Sequence, residues 1–349
     1  MSILITGATG FIGKALVKEL SLLDKNIFIL VRSHSLKKAS LLFSKFPNVR
    51  LISGDLTHVN VLNDLNDLKI LACVTEIIHL GGGYNIQMSE EEAYLQNVLG
   101  TQNLLALTRK IKSLKRVHLT SSFSVVGNLK KSANATDYAC SDEKLSAYSK
   151  SKMQAEKMAM TFIKKTIGVD LIVYRPGIVI PDNCSSLEKI DGPFYLIRNL
   201  LRFNSIIKYL PKTFVTFYPY SKDAYLPLVS VGCVAKFIAS KIDGNYQEKI
   251  SSFYIVDSNK KSVRNFIEEI LFHFDKNLNL KPFYTNIGKR LNTAFGLMPK
   301  ELSSFGYFST ELKDSKNSEE SLLIKKHNNI SVKMMIDQTR EFMAGEIHD

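Results

Sequence analysis

Thr6-Gly7-Ala8-Thr9-Gly10-Phe11-Ile12-Gly13 stands between two segments of opposite periodicity. Ser2-Ile3-Leu4-Ile5 before it is a short apolar run of strand type. Lys14-Ala15-Leu16-Val17-Lys18-Glu19-Leu20 after it has the apolar spacing of a helix. A glycine-rich turn therefore joins a first strand to a first helix. That geometry lets backbone N–H groups and a helix N-terminus hold a pyrophosphate. Gly7 permits the tight turn, Gly10 lets the backbone approach a phosphate, and Gly13 lets the helix pack on the sheet. Thr9, Phe11 and Ile12 complete the contacting turn.

Outward from this turn, strand-like runs recur at Ile27–Val31, Val49–Ser53, Glu76–Leu80, Arg116–Thr120, Leu171–Tyr174 and Phe253–Val256. Helical stretches lie between them, near Leu36–Phe46, Glu90–Lys110 and Ala147–Ile167. Alternating β and α segments predict an α/β fold, a doubly wound parallel sheet of Rossmann type with helices on both faces. Residues 1–180 form the expected NADP-binding core. Residues 181–349 form a small C-terminal substrate-binding lobe, interleaved with the last core strands at about 224–275. The segment Pro181–Asp223 and the stretch after Leu280 are richer in aromatics, Pro and Lys and are the expected covers of the crevice. The polar run Lys313–Glu320 reads as a surface loop.

The 349 residues are 45% apolar, enough for a sizeable core, and carry a net charge of +13. The lysine pairs are dispersed and not interleaved with aromatics, which argues against a nucleic-acid partner. They suit an acidic carrier, a phosphorylated substrate or, at most, peripheral contact with an anionic membrane. No apolar run reaches the length of a membrane span, and the immediate first strand leaves no room for a secretory signal. The four cysteines, Cys73, Cys140, Cys184 and Cys233, show no metal-ligand spacing and read as free thiols of a cytoplasmic protein.

The second strand ends Phe28-Ile29-Leu30-Val31-Arg32-Ser33. An acidic residue here would accept from a ribose 2′-hydroxyl. Arg32 instead can clamp a 2′-phosphate and stack on adenine, with Lys37 and Lys38 nearby. NADP(H) is accordingly the expected cofactor. Asp55-Leu56, after the third strand, is placed to meet the adenine edge. Tyr148-Ser149-Lys150-Ser151-Lys152 sets a phenol and an ammonium four apart on one helix face. A nearby ammonium favours the phenolate and brings the phenol toward acid–base work at neutral pH. Ser121, Ser122 and Ser124 offer hydroxyls where the strand Arg116–Thr120 ends.

These features together resemble the extended short-chain dehydrogenase/reductase superfamily. The resemblance rests on the glycine turn, Asp55-Leu56, His79-Leu80-Gly81-Gly82, Asn97-Val98-Leu99-Gly100-Thr101, Thr120-Ser121-Ser122, Tyr148…Lys152 and Tyr174-Arg175-Pro176-Gly177. It covers the chain to about Asp257. It implies that Ser122, five before Gly127, Tyr148 and Lys152 are catalytic and that Asn97 completes a proton relay. It also adds Leu80, Gly81, Pro176, Gly177 and Ile178 to the cofactor contacts. Leu30-Val31-Arg32-Ser33-His34-Ser35-Leu36-Lys37 and Lys189-Ile190-Asp191-Gly192-Pro193-Phe194-Tyr195 further resemble bacterial fatty acyl-CoA reductases and thioester-reductase domains.

That closer resemblance implies NADPH-dependent reduction of a long-chain acyl thioester or fatty aldehyde, with an acyl carrier protein as a candidate partner. Phe194, Tyr195, Leu196, Ile197, Leu200 and Leu201 could line an acyl channel or form the core face of an amphipathic helix. The alternatives are a hydroxysteroid or nucleotide-sugar enzyme of the same superfamily and a non-catalytic NADP-binding regulator.

Overall fold

The computed structural model describes residues 1–84, 88–126, 138, 145–182, 187, 192–202, 215–218, 225–256, 261–273, 279–282, 324 and 330–345. The strands are β1 (Ser2–Thr6), β2 (Asn26–Val31), β3 (Val49–Ser53), β4 (Val74–His79), β5 (Arg116–Thr120), β6 (Asp170–Pro176), β7 (Ile178–Ile180), β8 (Val215–Tyr218), β9 (Tyr225–Leu226), β10 (Leu228–Ser230), β11 (Ile250–Ile255), β12 (Lys261–Ser262) and β13 (Asn279–Pro282). The helices are α1 (Phe11–Leu20), α2 (Leu36–Phe43), α3 (Asp67–Leu71), α4 (Glu90–Ala93), α5 (Gly100–Thr108), α6 (Ala147–Lys164), α7 (Phe194–Arg202), α8 (Val231–Ser240), α9 (Val263–Phe272) and α10 (Val332–Gly345).

Seven strands form one parallel sheet in the order β11-β6-β5-β4-β1-β2-β3. The order reverses at β1, so a crevice opens at its carboxyl end, between β1 and β4. All five residues of β1 are buried, because both sheet faces are covered. Ile3 and Ile5 pack with Leu16, Val17 and Leu20 of α1 and with Val234, Phe237 and Ile238 of α8. Leu4 points the other way, into a layer with Leu104, Leu105 and Ile163. The period-two alternation of β1 thus supplies two cores, one on each face.

The helix expected over Glu90–Lys110 runs unbroken from Glu90 to Thr108, but not as a regular α-helix throughout. Between α4 and α5 the chain makes a π-helical turn, Tyr94–Leu99. The wider turn re-aims the side chains after it, and Asn97 and Val98 are buried there. The Lys313–Glu320 run lies outside the described residues, as do Gly127, Lys189, Ile190 and Asp191. In α7, Phe194, Leu196 and Ile197 are buried in a cluster with Val332, Met335 and Ile336 of α10. Those three positions are core, while Tyr195, Leu200 and Leu201 pack only partly buried against the same cluster. Among the described residues, Cys73 and Cys233 stand in no disulfide, no helix is long and apolar enough to cross a membrane and no cluster could hold a metal ion.

Candidate active site

The first element of the site is the turn between β1 and α1. Gly7 has φ +73°, and a Cβ there would stand 2.6 Å from the Gly81 amide. A Cβ on Gly13 would stand 2.4 Å from the Gly7 carbonyl. Both glycines therefore permit backbone contacts that no other residue allows. Gly10 is exposed, and a Cβ on it would meet only the Gly7 carbonyl, at 3.2 Å. Gly10 is also the N-cap of α1, with no side-chain cap and no acidic residue in the first turn. The unpaired N–H groups of that turn, beside Thr9, Phe11 and Ile12, form a cradle for an anion such as a dinucleotide pyrophosphate. The residues present fit such a group.

The second element lies at the ends of β2 and β3. Arg32 is exposed directly after β2. Asp55 Oδ1 accepts from the Thr57 amide and hydroxyl, both at 2.9 Å. Burial pushes the Asp55 carboxyl up, but the Thr57 hydrogen bonds and the charges of Arg32 and His58 outweigh it and hold it below its usual value. The Leu56 carbonyl accepts from Asn103 Nδ2 at 2.8 Å, which ties this loop to α5.

The third element is a buried one-way chain of hydrogen bonds across the mouth of the crevice. The Gly81 amide donates to Thr6 Oγ1 at 3.2 Å. Thr6 Oγ1 lies 2.7 Å from His79 Nδ1, and His79 Nε2 lies 3.1 Å from Thr101 Oγ1. The Thr101 hydroxyl donates to the Asn97 carbonyl at 2.6 Å. That last bond uses the only Thr101 hydrogen, so Thr101 must accept from His79 Nε2–H. His79 Nδ1 is then an acceptor for Thr6. Burial, with the charge of Lys152 added, holds His79 neutral by pulling its pKa down to about 3. A single imidazole tautomer thus links the glycine turn, through Thr6, to the π-helical turn. His79 and Thr101 are legible in the sequence as motif positions, but their joint role needs the fold.

The fourth element joins the end of β5 to α6. Lys152 Nζ donates to the Thr120 carbonyl at 3.2 Å. Burial lowers its pKa from the usual 10.5 to about 8. Asn97 Nδ2 donates to Ser151 Oγ at 2.9 Å, and Asn97 Oδ1 is a buried acceptor without a hydrogen-bond partner. A Cβ at Gly82 would stand 2.4 Å from Asn97 Oδ1 and 3.3 Å from Lys152 Nζ. The missing side chain at Gly82 therefore brings the amide oxygen and the ammonium to one spot. Sequence reasoning named Asn97 and Lys152 but gave Gly82 no role.

Ser122 Oγ accepts from the Ser124 amide at 3.2 Å and lies 2.9 Å from Ser124 Oγ. The Tyr148 ring meets Tyr84 edge-on, with centroids 5.2 Å apart. Tyr84 is exposed and carries no signal in the sequence beyond its place after three glycines. Pro176, Gly177 and Ile178 close the same sheet edge. The Gly177 amide donates to Ile255 and the Ile178 amide to Pro227 at 2.7 Å, and a Cβ on Gly177 would stand 2.1 Å from the Pro227 carbonyl.

The chain is similar to known proteins in sequence and in fold. Residues 5–238 match the NAD-binding family described as Male sterility protein. Fatty acyl-CoA reductase 2 of Mus musculus is 34% identical over 145 residues, which are 35% of this chain and 28% of the mouse protein. The chain spans less than half the length of several curated relatives that it matches. Among solved structures, the terminal R domain from the myxalamid PKS-NRPS biosynthetic pathway superposes with a TM-score of 0.69 at 20% identity, over 99% of this chain and 90% of that one. MoeE5 in complex with UDP-glucuronic acid and NAD superposes with a TM-score of 0.64 at 19% identity, over 98% and 99%. The glycine cradle, the seven-strand parallel sheet and the match over residues 5–238 converge: the chain belongs to the Male sterility protein family of NAD-binding domains, oxidoreductases with the extended short-chain dehydrogenase/reductase fold.

Proposed function

We propose that this chain uses NADPH to reduce a long-chain acyl thioester or a fatty aldehyde. The observation that carries the chemistry is the Lys152 ammonium, seated on the Thr120 carbonyl four residues after Tyr148 and beside Asn97 Oδ1 at the head of β5. The substrate class is supported by the mouse relative's name and by the apolar cluster of Phe123, Val125, Val126 and Phe194 that follows Ser122. The R-domain likeness supports a carrier-tethered thioester as one form of substrate.

The turn Gly7–Gly13 holds the pyrophosphate, Arg32 the 2′-phosphate, Asp55 and Leu56 the adenine edge. Leu80, Gly81, Pro176, Gly177 and Ile178 line the nicotinamide end. Bound NADPH supplies the hydride, so a thioester becomes a hemithioacetal that loses thiol to leave an aldehyde, and an aldehyde becomes an alcohol. Tyr148 delivers the proton to the developing oxyanion. Ser122 steadies that oxygen by turning its O–H onto it, with Ser124 Oγ then donating to Ser122 Oγ across their 2.9 Å contact. Lys152 holds the nicotinamide ribose and favours the phenolate of Tyr148. Asn97 Oδ1 takes up a proton-relay hydrogen bond next to it.

The lowered Lys152 pKa has opposite consequences for chemistry and folding. The site needs the ammonium, so kcat/KM should fall above about pH 8, by about tenfold per pH unit. Folding favours the neutral amine. The stability due to this group is complete above the unfolded value of 10.5 and is lost as the pH falls through about 8. A pH–rate profile flat to pH 10 would contradict the role given to Lys152.

The function is tested by following NADPH oxidation and products with acyl-CoAs, acyl carrier protein thioesters, fatty aldehydes, sterols and UDP- or dTDP-sugars. Each buried methylene adds roughly 0.8 kcal/mol. Activity should rise with acyl chain length and then plateau, mainly through KM, since ground and transition states share that burial. NADPH should bind more tightly than NADH, and Arg32→Asp should erode the preference. A flat chain-length profile with turnover of nucleotide sugars overturns the assignment.

A further inference from the structure

After β3 the chain folds back on itself in a way that sequence motifs do not require. The Gly54 amide donates to the Val31 carbonyl at 2.9 Å, Asp55 N–H to Val61 at 2.8 Å and Asn63 N–H to Ser53 at 3.1 Å. Gly54 and Leu62 form an antiparallel bridge. A Cβ on Gly54 would stand 2.2 Å from the Val61 carbonyl, so the return closes this tightly only on glycine. Val61 and Leu62 are buried and anchor it. The return delivers Asn63 to the rim where β2 and β3 end.

There Asn63 Nδ2 donates to Ser33 Oγ at 2.9 Å and to Ser53 Oγ at 2.7 Å. The two hydroxyls are 3.3 Å apart. One amide hydrogen goes to each hydroxyl, so both act as acceptors toward Asn63. The pair can use at most one of its own two hydrogens internally, and with Ser53 as the internal donor the exposed Ser33 keeps its O–H to give outward. Ser33 and Asn63 are exposed, and Ser33 directly follows the exposed Arg32. A cation beside a hydroxyl donor, with no carboxylate hydrogen-bonded to either serine among the described residues and Asp55 already held by Thr57, is chemistry for a phosphate dianion.

We propose that Asn63 is a specificity-determining positioning residue, which sets the Ser33 hydroxyl as a donor to the 2′-phosphate of the cofactor beside Arg32. This rests on the NADPH reading above. A bound 2′-phosphate gains a neutral donor already oriented before binding, whereas a 2′-hydroxyl gains little from it.

Calorimetry on the full chain with NADPH, NADH, 2′,5′-ADP and 5′-AMP tests it. Asn63→Ala should weaken NADPH and 2′,5′-ADP by about tenfold and leave NADH and 5′-AMP within about twofold. Ser33→Ala, which leaves the Gly54–Asn63 return untouched, should show the same split and serves if Asn63→Ala does not fold. Loss of equal size for phosphorylated and unphosphorylated ligands would make the role merely structural and overturn the proposal. So would undiminished NADPH preference in both variants while the unmodified chain prefers NADPH. An unmodified chain that binds NADPH and NADH equally would overturn the NADPH reading and this proposal with it.

Discussion

Replacing Tyr148 by Phe should lower kcat by a factor on the order of 10²–10⁴ while NADPH affinity stays within about twofold. The phenol O–H acts on the oxyanion, a charge that exists only in the transition state, so its loss is felt in turnover. The ring itself remains, and its edge-on contact with Tyr84 keeps the local packing. Lys152→Ala should damage both quantities, since the ammonium serves the ribose as well as the phenol. Steady-state kinetics with calorimetric binding separate the two. Wild-type turnover of every active substrate by Tyr148→Phe would remove Tyr148 as the proton donor.

The largest effect on stability is expected at Glu156. Glu156 and Arg175 are both fully buried, and Arg175 Nη2 donates to Glu156 Oε1 at 2.6 Å, with Nε shared between both carboxylate oxygens. Tyr138 donates to the same oxygen at 2.8 Å, and Arg175 Nη1 donates to the Tyr254 hydroxyl at 3.1 Å. The Arg175 guanidinium also lies over the Tyr138 and Tyr254 rings. Glu156→Leu would leave a buried cation without its counter-charge, a loss of about 3–5 kcal/mol. Urea unfolding should report it as a lower midpoint at unchanged slope. The double variant Glu156→Leu with Arg175→Met should recover much of the loss, because it removes both charges together. A single variant as stable as the parent would mean that water reaches this pair.

That pair shows where a motif and a structure part company. Arg175 belongs to Tyr174-Arg175-Pro176-Gly177, a motif from which the resemblance assigns Pro176 and Gly177 to the cofactor and gives Arg175 no role. Pro176 and Gly177 stand at the carboxyl end of β6. Arg175 points away from it and clamps β6 to α6, and it reaches Tyr138 in the connection between Ser122 and Tyr148. Strand alternation explains the split, since consecutive residues face opposite sides of the sheet.

Local pattern was enough for much of the architecture. Short apolar runs located all seven strands of the main sheet within a few residues, because parallel strands buried on both faces need apolar side chains on both. The glycine spacing was enough for the turn at Gly7–Gly13, where close backbone contacts exclude a Cβ at Gly7 and at Gly13. Arg32 and the Tyr148–Lys152 spacing were equally legible, since a strand end and one helical turn are local geometry. Tertiary structure decided the rest. The π-helical turn that buries Asn97, the approach of Asn97 Oδ1 and Lys152 Nζ around Gly82, and the Thr6–His79–Thr101 chain join residues far apart in sequence. So does the return that sets Asn63 on Ser33. Each depends on hydrogen-bond partners brought from different strands and helices, and no periodicity of a single segment encodes which partner a buried polar group will meet.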